Sequence, residues 1–246
     1  MILIGYGNVD YDAEVTVYAG DGDDLVDIHG DWHDYLINGG RGNDTFIVDG
    51  GWKEDDDGND VMKIDGGLGD DIFTQGAEST ATNAGGTRNL SATVQLLGGE
   101  GNDKFDRFTG TPSSLLEIDG GAGNDKIVTG TGFSAVDITA GDGDDVVHDV
   151  DEELNDGADR TFDLGAGNDT FFGGRDGSTV DVDGGGGNDK IFGPNDVNDG
   201  DDDYGLVSLD GGAGDDIIDH GDYNYGDYGY GGAGNDKIIG GLATNN

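Results

Sequence analysis

The sequence contains no cysteine, two prolines and few basic residues. Without cysteine there can be neither disulfide bridges nor thiolate metal ligands. Lysine and arginine number 11 against 54 acidic residues, giving a formal net charge of −43, which argues against nucleic acid as a partner. No apolar run approaches the roughly 18 residues of a membrane-spanning helix, and the first residues predict no cleaved signal peptide.

Glycine is the abundant residue, at 52 of 246 positions. With 33 % hydrophobic residues and so large a net charge, such a composition is typical of a disordered chain. The glycines do not follow the G-X-Y period, which excludes collagen. An ordered structure therefore requires another periodic pattern, together with something that neutralises the acidic residues.

That pattern is G-G-x-G-[ND]-D-x-φ, where φ is apolar, and it occurs ten times. LLEIDGGAGNDKIV from Leu115 is a clear copy, whereas the copies from Ala19, Ala140 and Leu164 lack the first glycine. Consecutive final aspartates are 20 to 32 residues apart, which suggests a coil of about 20 residues with insertions at one place. These final aspartates are Asp24, Asp44, Asp71, Asp103, Asp125, Asp145, Asp169, Asp189, Asp216 and Asp236.

Apolar residues alternate with polar ones before each copy of the motif, as in Val180-Asp181-Val182. The second residue after the final aspartate is apolar in all ten copies. One coil is therefore predicted to contain a strand, a glycine turn, a second strand and a variable turn. Stacked coils would bury their apolar faces together. The sequence predicts an all-β protein, a single parallel β-solenoid domain over residues 1–246 with about ten coils.

Stacking would place the ten final aspartates in one column, where like charges about 5 Å apart repel each other. Ca²⁺ accepts six to eight oxygen ligands and combines carboxylates with backbone carbonyls. Ten turns leave nine gaps, so the sequence predicts about nine calcium ions between the turns.

The motif resembles the nonapeptide of RTX proteins, the haemolysin-type calcium-binding repeats, from Gly20 to Ile239. The resemblance implies that the final aspartates and the backbone carbonyls of the turn hold calcium. The implied backbone ligands lie around Gly20, Gly22, Gly40, Gly42, Gly67, Gly69, Gly99, Gly101, Gly121, Gly123, Gly141, Gly143, Gly165, Gly167, Gly185, Gly187, Gly212, Gly214, Gly232 and Gly234.

This chain departs from the family in having one motif per coil, whereas family β-rolls usually have two. We therefore expect one calcium column and one irregular edge that carries the insertions. A half-motif ending at Asp60 is a candidate extra metal site on that edge. His29 and His33 have a zinc-like spacing, but Gly30 and the loop composition disfavour zinc. Four tyrosines between Tyr223 and Tyr230 are more readily explained as edge caps than as a sugar-binding surface.

The functional expectation is an extracellular or cell-surface bacterial protein that folds on binding calcium and builds a layer, matrix, filament or adhesin. No polar cap is evident at either end, so the chain is either a piece of a longer secreted protein or a subunit that stacks end to end. Cell-surface polysaccharide is a further candidate partner. A calcium-triggered secretion module of a larger toxin or hydrolase is the alternative. A polysaccharide-active enzyme is disfavoured, because no catalytic motif is present.

Overall fold

The computed structural model describes residues 1–4, 15–29, 34–49, 61–75, 93–108, 110, 114–150, 158–174, 179–194, 206–221 and 227–240. In these ranges the chain forms 21 β-strands in two sheets, and every strand pairing is parallel. The predicted all-β class and parallel β-solenoid are confirmed. Over the same ranges, the structure has no helix long and apolar enough to cross a membrane.

The strands alternate strictly between the two sheets. The eleven-stranded sheet contains β1 (Ile2–Ile4), β3 (Leu25–His29), β5 (Thr45–Asp49), β7 (Ile72–Gln75), β9 (Lys104–Asp106), β11 (Lys126–Val128), β13 (Val146–His148), β15 (Thr170–Phe172), β17 (Lys190–Phe192), β19 (Ile217–Asp219) and β21 (Lys237–Ile239). The ten-stranded sheet contains β2 (Val15–Asp21), β4 (Tyr35–Arg41), β6 (Val61–Leu68), β8 (Thr93–Glu100), β10 (Leu115–Ala122), β12 (Ala135–Asp142), β14 (Asp159–Asp163), β16 (Thr179–Asp183), β18 (Val207–Asp210) and β20 (Tyr228–Tyr230).

Each glycine motif joins a strand of the ten-stranded sheet to the next strand of the eleven-stranded sheet, so one motif makes one coil. Equivalent residues pair in register, as Ile118 does with Ile138 and Ile127 does with Val147. Strand β1 was not anticipated from the repeat, because no glycine motif precedes it. It pairs with β3 through Ile2 and Val26 and so adds a half-coil ahead of the first turn.

The core lies between the sheets and is built from the period-two alternation. Nine of the ten apolar residues that follow the turn aspartates by two positions have no exposed surface, and the tenth, Ile238, is 48 % exposed in the last described coil. Phe46, Phe73 and Phe105 form an aromatic ladder within this column, with ring centroids 5.0 and 4.6 Å apart. In-register stacking thus joins nine of these apolar residues into a continuous core.

In part of the stack the first glycines of the motif belong to a strand, whereas the sequence predicts a turn there. In β10 the strand continues through Gly120 and Gly121 to Ala122 before the chain turns. Successive copies share one conformation, so their amides and carbonyls pair across coils, as Gly121 pairs with Gly141. From β14 onwards the strands end before the glycines, and only the residue between the glycines pairs again, as Ala166 does with Gly186.

A buried ion pair lies at the opposite end of the strands from the glycine turns. Arg160 occupies the core position that is Val136 and Val180 in the adjacent coils, and it is 1 % exposed. Its guanidinium donates to Asp149 at 3.0 and 2.5 Å, and the Thr129 hydroxyl donates to the same carboxylate at 2.6 Å. A charged pair replaces an apolar contact here, which the apolar pattern did not reveal.

We predict that Phe73→Ala will lower the free energy of unfolding by about 3–5 kcal/mol, because it leaves a cavity between two stacked rings. The matched control is Phe172→Ala. Phe172 is 39 % exposed on the outer surface and stacks on Phe192 at 5.2 Å. Its removal should cost about 1 kcal/mol. Urea unfolding of both variants under the same conditions measures the difference, and equal losses would contradict the placement of the core.

Candidate metal centre

Nine of the ten turns are formed by two glycines with positive φ. Gly40 and Gly42 have φ values of 106° and 124°, which residues with a Cβ rarely adopt. A Cβ at Gly40 would also strike the carbonyl oxygen of Gly20 in the coil below. Of the twenty glycines predicted from the sequence, nineteen have such a positive φ, and Gly234 in the last described turn does not. The glycines let the backbones approach closely and direct the final aspartate inward.

The ten final aspartates form the single column that the repeat predicts. Each backbone N–H donates to Oδ1 of the aspartate in the next coil, in nine successive hydrogen bonds of 2.7 to 3.1 Å. Eight of the ten side chains are buried, whereas Asp24 and Asp236 at the two ends are partly exposed. We call these ten residues the aspartate column.

The second carboxylate oxygen has no such partner within the column. Oδ2 is buried without a hydrogen bond in eight described aspartates, namely Asp44, Asp71, Asp103, Asp125, Asp145, Asp169, Asp189 and Asp216. Buried polar atoms are nearly always paired, and an isolated buried charge is costly. Eight such oxygens in one line are therefore the feature of this structure that most requires a binding partner.

A second ladder runs beside the aspartate column and was not recognised from the sequence. Its members are the residues before each final aspartate: Asp23, Asn43, Asp70, Asn102, Asn124, Asp144, Asn168, Asn188, Asp215 and Asn235. Each backbone N–H from Asn43 onwards donates to Oδ1 of the equivalent residue in the preceding coil, at 2.7 to 3.0 Å. This exposed ladder therefore runs in the opposite direction to the buried one. The [ND] position of the motif was the available signal.

Burial changes the acidity of the column. Loss of hydration is the largest cause, and it raises the pKa of Asp71 and Asp189 to about 6 and the pKa of Asp103, Asp145 and Asp169 to about 7. The hydrogen bond from the backbone N–H to Oδ1 lowers the pKa, and the neighbouring carboxylates raise it further. Without a bound cation, the column therefore tends to take up protons near neutral pH.

The donor set suits a hard cation. Oδ2 of Asp71 lies against Gly66, at a point that a Cβ on Gly66 would fill. That Cβ would also lie 2.8 Å from the carbonyl oxygen of Gly98 in the next coil, so carboxylate and carbonyl oxygens line the same space. In the described ranges, no three acidic or histidine side chains converge on one point. A cation between turns would therefore need backbone carbonyls or water beside its carboxylates.

Three coils differ at this first position of the motif. Ala19, Ala140 and Leu164 stand where the other turns have glycine. Ala140 and Leu164 are fully buried and extend the apolar core towards the carboxylates of their own turns. The space beside Oδ2 is thus unobstructed in the second to fifth coils and again in the eighth to tenth.

Some sites expected from the sequence cannot be placed. Asp60, His33, Tyr223 and Tyr225 lie outside the described residues, as do most residues of the insertions. His29 ends β3, but its side chain is not described either. Tyr228 and Tyr230 are each 55 % exposed on β20. The extra metal site and the irregular edge remain predictions.

We predict that the chain, freed of divalent cations by a chelator, will be more stable at pH 5.5 than at pH 7.5. A carboxyl group whose folded pKa exceeds its unfolded value of 3.8 stabilises the fold fully below about pH 4. This contribution is lost as the pH rises from about 4 through the folded pKa values of about 6 to 7 of Asp71, Asp103, Asp145 and Asp169. Circular dichroism of the chelated chain across the pH range measures the effect as a β-signal that grows on acidification, and a β-signal that grows as the pH rises over this window would contradict it.

Ordinary carboxylates titrate below about pH 5, so they contribute little to that window. Asp103→Asn is the matching variant, because its amide oxygen can still accept the N–H of Asp71. This substitution should reduce the number of protons taken up on folding, which sets the slope of stability against pH, by about one. An unchanged slope would show that the column is not the titrating group.

Comparison with protein-family models, with curated proteins and with solved structures finds no match to this chain. Its classification therefore depends on its own repeats and geometry. Two parallel sheets closed by glycine turns, with a buried aspartate in eight of the ten turns, are compatible with a β-roll.

Proposed function

We propose that the protein is a calcium-binding solenoid of the RTX type, which folds when calcium enters the aspartate column and serves as a structural element outside the cell. The observation that carries this proposal is the line of eight buried, unpartnered Oδ2 atoms. The repeat supplies the chemical identity of the ligands, since it combines carboxylates with glycine carbonyls.

The two ladders of the turn give the strongest internal comparison. In the exposed ladder six residues are asparagine and four are aspartate, so an amide serves there as well as a carboxylate. The aspartate column has aspartate in all ten coils, although Oδ1 of an asparagine could equally accept the hydrogen bond from the backbone N–H. The hydrogen bond therefore does not explain why a carboxylate is required. The second oxygen of the carboxylate does explain it, because that oxygen can bind a cation and the amide nitrogen of asparagine cannot.

Calcium is the cation that best suits this donor set. Zinc prefers nitrogen and sulfur ligands, and the column offers only oxygen. Magnesium demands a near-ideal octahedron and gives up its water reluctantly, whereas calcium accepts irregular oxygen coordination. A bound calcium ion would supply positive charge that replaces protons on the buried carboxylates and offsets their mutual repulsion.

Metal-coupled folding gives the protein a direction of action. With a net charge of −43, the metal-free chain repels itself and resists compaction. Low calcium during synthesis would keep it extended, and higher calcium outside the cell would drive folding. The product is a regular rod suited to a surface layer, matrix or filament. End-to-end stacking would cover apolar residues such as Ile238, which is half exposed.

We predict that the β-structure of the purified chain, followed by circular dichroism, will form in millimolar calcium and be lost in excess EGTA. Asp71→Asn should raise the calcium concentration at the folding midpoint, because it removes one carboxylate from the column. Asp70→Asn in the same turn should leave the midpoint nearly unchanged, since the exposed ladder already uses asparagine. The same β-signal with and without calcium would refute metal-coupled folding. Equal shifts of the midpoint in the two variants would show that the aspartate column is not the calcium site.

A second prediction concerns the first glycine of the turn. Gly66→Ala places a methyl group beside Oδ2 of Asp71 and should reduce the number of calcium ions bound by one or two, as measured by titration calorimetry. The fold should tolerate the change, because Ala140 occupies the same position in its own coil.

Gly186→Ala is the matched control, since a Cβ there meets nothing within 4 Å and its φ is not in the positive region. Ala166 and Ala213 already hold this position in the adjacent coils. An unaltered stoichiometry in Gly66→Ala, with the fold intact, would place the calcium elsewhere.

A further inference from the structure

The two outer faces of the solenoid differ sharply in charge. On the eleven-stranded sheet, the first and third residues after each turn aspartate flank the buried apolar residue and lie on the outer face. We call these twenty positions the lysine face. They are Leu25, Asp27, Thr45, Ile47, Ile72, Thr74, Lys104, Asp106, Lys126, Val128, Val146, His148, Thr170, Phe172, Lys190, Phe192, Ile217, Asp219, Lys237 and Ile239.

The lysine face has four lysines and three aspartates, in a chain with 54 acidic residues and only 11 basic ones. The column that immediately follows the turns contains all four lysines and no acidic residue, and its remaining members are aliphatic or threonine. Lys126, Lys190 and Lys237 are exposed, whereas Lys104 forms an ion pair with Asp106 at 2.7 Å. The aspartates are thus confined to the neighbouring column.

The lysine face also exposes apolar side chains. Ile72, Val146 and Phe172 are 40, 38 and 39 % exposed. Phe172 stacks on Phe192 with ring centroids 5.2 Å apart, and His148 packs against its edge at 5.7 Å. Lysine and apolar side chains therefore share one outer surface, which is the composition of a docking face more than that of a freely solvated one.

The ten-stranded sheet has the opposite character. Its outward-facing residues in register with Glu117 and Asp119 form the acidic face. These two columns contain eight acidic residues and one lysine: Asp65, Glu117, Asp119, Asp137, Asp163, Asp181, Asp183, Asp210 and Lys63. Lys63 lines a depression together with Glu117, Asp119 and Asp137.

We propose that the lysine face of one molecule docks onto the acidic face of a second copy, so that the rods assemble side by side. Positions on both faces repeat once per coil, at the same spacing of about 4.8 Å, so rows of side chains on the two surfaces can be aligned with each other. The faces belong to sheets on opposite sides of one core and therefore point in opposite directions. Each docked copy leaves a free lysine face and a free acidic face, and the contact is heterologous and grows into an open layer.

A second copy fits the lysine face better than an anionic polymer or membrane does. A second copy carries the same net charge of −43, so the facing rows of opposite charge must outweigh a general repulsion that acts over about a Debye length. The acidic face meets the lysines with eight carboxylates held by the same backbone lattice, so docking needs no rearrangement. This association is lateral and is distinct from the end-to-end stacking considered above. It requires a folded chain but no particular cation in the column.

The experiment measures self-association of the full chain in calcium by sedimentation equilibrium and small-angle X-ray scattering. We expect reversible association, with growth in the cross-section of the particle. Lys126→Gln/Lys190→Gln should raise the apparent dissociation constant at least tenfold. The control is Lys63→Glu, which lies on the acidic face and changes the net charge from −43 to −45, as the double variant does. It should leave association at least as strong as in the original protein.

A charge exchange tests the pairing of the two faces directly. Lys126→Glu/Lys190→Glu and Asp137→Lys/Asp181→Lys should each associate poorly alone, and an equimolar mixture should recover the association. Circular dichroism establishes that each variant is folded before it is compared. Rods that grow only in length, equal affinities in Lys126→Gln/Lys190→Gln and Lys63→Glu, or a mixture without recovery would each overturn the proposal. So would single-width rods that bind polygalacturonate through the same lysines.

Discussion

The structure depends on the bond between the amide of one turn aspartate and the carboxylate of the next. Nine of these bonds run through the stack, and each joins two consecutive coils at the turn. They hold the coils in register, and the same contact leaves the second carboxylate oxygen buried without a hydrogen-bond partner. The interaction that orders the solenoid thus creates the charge that a cation or a proton must neutralise.

Stability and function are coupled through that column. The apolar core is at most three residues wide per strand, so each coil depends on its neighbours for burial of its apolar residues. Neutralising the column would lower the electrostatic cost of every coil at once. For this reason we regard the proposed calcium as part of the fold, and a change in calcium concentration as the switch between an extended chain and a rod.

The periodic architecture also sorts the surface. Because side chains alternate along each strand and coils stack in register, a residue type placed at one motif position becomes a stripe along the whole molecule. The exposed asparagine and aspartate ladder, the lysine face and the acidic face are all such stripes. The surface of this protein is thus organised by coil position, and its proposed partners are recognised by rows of residues.

Much of this could be read from the residues alone. Ten glycine motifs with a period-two apolar pattern predicted the strand order, the parallel stacking and the single aspartate column, because each depends only on local periodicity. Tertiary structure decided what periodicity cannot express. It showed that Oδ1 is satisfied while Oδ2 is not, that Arg160 and Asp149 pair inside the core, and that β1 adds a half-coil without a motif. These features depend on contacts between residues that are 11 to 32 positions apart in the sequence, and only the folded stack brings their atoms together.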